Sequence, residues 1–134
     1  MESLTKIQVG GTHYKGMVYQ PFEIAHANAY DAATFSILKY VMRHAEKGGR
    51  QDLEKAIHIV NIRVDLLAKY GQRYNALNTL LPDTFCTANN TPYAESMILH
   101  TLHEWARFPG ETDFAKLVLI ALAHLIRVEY LEGN

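Results

Sequence analysis

Two adjacent glycines, Gly48 and Gly49, stand between two stretches whose apolar residues recur at the period of an α-helix. Before them lie Phe35, Leu38, Val41, Met42 and Ala45; after them Leu53, Ala56, Ile57, Val60, Val64 and Leu67. Glycine takes the left-handed backbone that ends a helix without strain at Cβ. A link this short sends the second helix back along the first. An antiparallel helical hairpin is therefore expected.

The remaining punctuation points the same way. Pro21 is a favoured first helical position and opens a helix to about Ala29. Asp31 caps the next helix, the first arm of the hairpin, and Gly71 closes the second arm, which begins near Asp52. Asn, Thr, Pro and Asp dominate from Asn75 to Pro92, so 72–91 reads as a connection, mobile or draped over the body. A fourth helix runs from about Pro92, capped by Thr91, to Phe108, and a fifth from Thr112 to Leu131. From Leu117 to Leu125 the fifth is apolar almost all round, which predicts central burial or self-association. The expectation is a mainly α bundle of about five helices preceded by an extended, glycine-rich segment. With 134 residues the chain fits one domain, 1–134. Its single cysteine, Cys86, excludes an intrachain disulfide. Met1 to Lys6 has no signal-peptide core, and the longest apolar run, Leu117–Ala123, is too short to span a bilayer. A cytoplasmic protein without a membrane partner is expected.

Charge is divided unevenly. Residues 1–73 hold ten Lys/Arg against seven Asp/Glu, and residues 74–134 hold three against seven. The whole chain gives no strong nucleic-acid signal, but its first half carries the basic groups. Lys39, Arg43 and Lys47 recur every fourth residue on one face of the first hairpin arm, with Tyr40 and His44 beside them. Arg50 and Lys55 lie past the glycine turn. Converging cations are how proteins neutralise phosphate oxygens, the alternative being a solvated face. Gly10-Gly11-Thr12-His13-Tyr14-Lys15-Gly16 can aim successive backbone N–H groups at an anion, although it lacks P-loop spacing and reads equally as a flexible N-terminal turn. Glu54, His58, Asn61 and Asp65 form a stripe that reads as the wet face of the second arm. His100, His103 and Glu104 lack the zincin order and read as satisfied or exposed side chains, with no metal site.

Taken together these pieces resemble a known family. Val9-Gly10-Gly11-Thr12-His13-Tyr14, Gln20-Pro21-Phe22-Glu23, Leu38-Lys39-Tyr40-Val41 with Arg43-His44, Lys47-Gly48-Gly49 and Asp52-Leu53-Glu54-Lys55-Ala56-Ile57-His58 occur in this order. The series resembles the SaV-like domain of unknown function, small phage proteins often labelled nucleotide kinases. It covers residues 7–68; His44 and Ile59 depart from its pattern, each where a tyrosine is expected. The resemblance implies a phage-encoded homo-oligomer in the bacterial cytoplasm that transfers phosphate from a nucleoside triphosphate such as ATP to a deoxynucleoside monophosphate. By match to the motif, Gly10, Gly11, Tyr14, Lys39, Tyr40, Arg43, Lys47 and Lys55 would bind the phosphates, with Lys15 beside them, and His13 or Asp52 would orient the acceptor. The alternative is a non-catalytic binder that sequesters a nucleotide or cyclic nucleotide signal used in host defence. Residues 92–132 then form a two-helix extension outside the resemblance.

Overall fold

A computed structural model of the chain describes residues 16–71 and 75–132. Among the described residues there are six α-helices: α1 Pro21–Asn28, α2 Ala32–Arg43, α3 Arg50–Tyr70, α4 Pro82–Ala88, α5 Tyr93–Arg107 and α6 Thr112–Ile126. A π-helical turn, Arg127–Leu131, continues α6. No strand occurs among the described residues. The hairpin of α2 and α3 has the most extensive packing, and α5 and α6 complete the bundle around it. Leu38 and Val41 of α2, Leu53, Ala56 and Val60 of α3, Leu99, Leu102 and Trp105 of α5, and Val118 and Leu122 of α6 fill one core.

Asp31 caps α2 as expected, accepting from the Thr34 N–H at 2.8 Å. The same carboxylate accepts from Arg63 of α3, Nε at 3.0 Å and Nη2 at 2.9 Å. Burial would raise the Asp31 carboxyl, but Arg63 and the Thr34 N–H hold it below its ordinary value. Arg63, only 3% exposed, takes the next core-facing position after Val60, and its guanidinium lies 4.3 Å from the centre of the Trp105 ring. Val64, expected on the apolar face, is exposed instead. The apolar period is interrupted by a charged residue that the core accepts because it is paired.

Several expectations are corrected. The connection 72–91 contains α4, so the described residues hold six α-helices rather than about five. Pro82 opens it, and Phe85 and Cys86 drive into the core. Burial pushes the Cys86 thiol up. The stretch before α4 is sutured to the body by Asn28, which is fully buried: its amide donates to the Leu80 carbonyl and accepts from the Leu80 N–H, both at 2.8 Å. Second, α2 ends at Arg43, and a series of turns occupies His44–Gly49; α5 likewise starts after Pro92, without a side-chain cap from Thr91. Third, α6 is not buried all round. Val118, Leu122 and Leu125 are in the core, whereas Leu117 and Ile120 are 51% and 65% exposed.

Candidate functional site

The turn between α2 and α3 depends on both glycines. Gly49 has φ +59, and a Cβ on Gly48 would collide with the Asp52 carboxyl group. The close approach has a purpose: the Gly48 N–H donates to Asp52 Oδ2 at 3.0 Å. Arg43, at the end of α2, donates to the same carboxylate through Nε and Nη2, each at 3.2 Å. Asp52 is 1% exposed. It therefore fastens the two helices across the turn, and neither it nor Arg43 is unengaged.

Beside this pair three cations surround the Tyr40 ring: Lys39 Nζ at 4.8 Å, Arg43 Cζ at 4.7 Å and Lys55 Nζ at 5.5 Å from its centre. The negative face of the aromatic ring favours their gathering. Among the described residues neither lysine forms an ion pair with a carboxylate, and Lys47 at the turn is exposed. A cleft of about 470 Å³ opens here, lined by Tyr40, Gln51, Glu54, Lys55, His58 and Ile59. The structure thus brings together Lys39, Tyr40, Arg43, Asp52 and Lys55. Gly10, Gly11, His13, Tyr14 and Lys15 lie outside the described residues. The Glu54, His58, Asn61 and Asp65 stripe is exposed, as a wet face should be. Among the described residues no three His, Cys, Asp or Glu side chains are grouped to hold a metal ion.

Sequence reasoning missed a second hub behind the turn. His44 is 3% exposed, and its Nδ1 lies 2.6 Å from the Tyr130 hydroxyl. Its Nε2 faces Glu95 Oε2 at 3.7 Å, without a hydrogen-bond partner among the described residues. With the proton on Nε2, Nδ1 accepts from Tyr130. Tyr130 belongs to the π turn, where the Glu132 N–H reaches back to the Arg127 carbonyl at 2.8 Å, and π turns recur at functional positions. Burial, then Glu129, Glu95 and Asp52, push the Tyr130 phenol up. The C-terminal half thereby backs the candidate site. No local motif could have announced a contact across 86 residues.

His103, read as satisfied or exposed, is satisfied. It is 1% exposed, with Nδ1 2.6 Å from the Tyr30 hydroxyl and Nε2 2.8 Å from Asn78 Oδ1. Burial, with Arg107 and His100 nearby, depresses its pKa to about 4. Neutral imidazole is the form these partners need, accepting from the tyrosine and donating to the amide.

A scan of family models finds no match to this chain, and searches of curated proteins and of solved structures find none either.

Proposed function

We propose that the α2–α3 face around Tyr40 binds the phosphate groups of a nucleotide, and that the protein is a phage-encoded nucleotide binder acting as a homo-oligomer. The observation that carries this reading is the gathering of Lys39, Arg43 and Lys55 on one aromatic ring beside a cleft. The two lysines supply the positive charge; Arg43 steers one end of the site from its pairing with Asp52. Tyr40 and His58 offer flat surfaces and hydrogen bonds to the remainder of the ligand.

Two versions of the reading differ in chemistry. As a nucleoside monophosphate kinase, the protein would use Asp52 or His13 to orient an acceptor hydroxyl while the cations offset charge on the moving phosphoryl group. As a binder that withholds a mononucleotide or cyclic nucleotide signal, it needs affinity alone. The engagement of Asp52 by Arg43 and the Gly48 N–H favours the second version, because that carboxylate already has its partners. A thermal-shift screen with mononucleotides and cyclic dinucleotides tests the shared reading, since a ligand of the native state raises the melting temperature with concentration. Lys39→Ala and Lys55→Ala should each weaken binding by about one to two orders of magnitude, from charged hydrogen bonds of about 1.5–3 kcal/mol. Arg127→Ala should leave it intact. Absence of any nucleotide response overturns the reading. Turnover of ATP with a deoxynucleoside monophosphate would select the kinase version.

A further inference from the structure

The outer face of α6 has an order that its inner face does not need. Leu117, Ile120, Val128 and Leu131 are 51%, 65%, 44% and 52% exposed, and His124, also exposed, stands among them. Leu117 and Ile120 lie seven and four residues before His124, and Val128 and Leu131 lie four and seven residues after it. The stripe reads the same from either end. Its flanks are complementary as well as symmetric: Lys116 lies eight residues before His124 and Glu132 eight residues after. The π turn leaves both Val128 and Leu131 on the open side despite its wider winding.

We infer that this face is the contact between two copies of the chain, packed antiparallel about a two-fold axis that passes beside His124. A two-fold contact requires that if one residue meets a second, the second meets the first. The stripe satisfies this with aliphatic partners. Leu117 meets the partner copy at position 131, Ile120 meets it at position 128, and Lys116 faces the acid at position 132. Antiparallel helices also set opposite dipole ends side by side. Within one copy Lys116 forms a surface pair with Asp113 at 3.9 Å, and Glu132 pairs with Arg127 at 3.2 Å. Both groups sit at the rim, where such pairs can be shared.

The area suits a dimer. Four aliphatic side chains half bare along about 20 Å of helix leave roughly 350 Å² of apolar surface per copy, in the range of the largest patch on a typical monomer. With the polar flanks the contact covers roughly 1,000 Å² in total, the threshold for a specific interface. This segment lies outside the family resemblance, and Leu117, Ile120, Val128 and Leu131 do not line the cleft at Tyr40, so the inference does not rest on nucleotide binding.

Cysteine pairing tests it on the full chain, because Cys86 is buried and is the only native thiol. Under mild oxidation His124→Cys should cross-link to itself, being nearest the axis. Leu117→Cys alone and Leu131→Cys alone should not, whereas a mixture of the two, distinguished by tags, should yield the mixed dimer. In sedimentation equilibrium the wild type should be dimeric and Ile120→Asp monomeric, with dimerisation weakened about 100-fold. Ile120 is mostly exposed, so its replacement spares the fold, which circular dichroism verifies. Ile62→Asp, on α3, should leave the mass unchanged. A monomeric wild type, an unaltered Ile120→Asp dimer, loss of the dimer in Ile62→Asp, or self-linking of Leu117→Cys would each overturn the inference.

Discussion

Replacing Arg43 with alanine should destabilise the protein before it reports on any ligand. The side chains of Arg43 and Asp52 are 16% and 2% exposed. Removing one partner of a buried pair strands the other charge, at about 3–5 kcal/mol. Arg43 retains some contact with water and the Gly48 N–H still serves the carboxylate, so the low end, about 3 kcal/mol, applies. For a chain of this size that displaces the urea midpoint by about 1.5 M, with the slope unchanged. Asp52→Ala should cost a similar amount. The double variant should recover most of one loss, because it leaves no charge stranded, and the cycle should give a coupling of about 2–3 kcal/mol. Urea unfolding followed by far-ultraviolet circular dichroism measures all four proteins. Strictly additive losses, or an Arg43→Ala loss below about 0.5 kcal/mol, would refute the pairing as the fastener of the turn. One practical consequence is that the lysines, rather than Arg43, are the clean probes of phosphate binding.

His103 makes stability depend on acid. Unfolded, the imidazole takes up a proton at its ordinary 6.5; folded, it resists until about 4. Stability is thus lost as pH falls through that window, by about 3 kcal/mol at 1.36 kcal/mol per pH unit. The stability gap between wild type and His103→Gln should narrow by about that amount between neutral pH and pH about 4; a constant gap would contradict it. Asn28→Ala should cost about 2 kcal/mol through its two lost bonds and expose 75–81 to limited proteolysis, and an unchanged cleavage pattern would count against the suture. Tyr130→Phe should cost about 1–2 kcal/mol by leaving the buried His44 Nδ1 unpaired; equal urea midpoints would show that the hydroxyl contributes nothing.

The hairpin was legible because its signals are local: Asp31 caps three residues ahead, Gly48 and Gly49 permit the turn, and Leu53, Ala56 and Val60 repeat on one face. Helix α4 was not, since its three buried residues, Pro82, Phe85 and Cys86, span little more than one turn, too short a stretch for a period to stand out from the polar sequence around it. Arg63 was hidden for a different reason, as a charge enters a core only with a partner that periodicity does not reveal. The spacing places Lys39 and Arg43 on one face, but the third cation at the Tyr40 ring is Lys55 rather than the equally spaced Lys47, and only the fold shows Asp52 neutralising Arg43. His44 and Tyr130 required tertiary knowledge altogether.

The Arg43–Asp52 fastener also bears on the order in which the chain assembles. Its partners are nine residues apart, whereas His44 and Tyr130 are separated by 86. Loop-closure entropy makes the longer connection about 2 kcal/mol costlier to form from an unfolded chain. The hairpin with its carboxylate-locked turn is thus a unit that can close early and alone, and it offers the C-terminal helices a finished surface on which to condense. Alterations at Asp52 should slow folding, while alterations at Tyr130 should chiefly hasten unfolding.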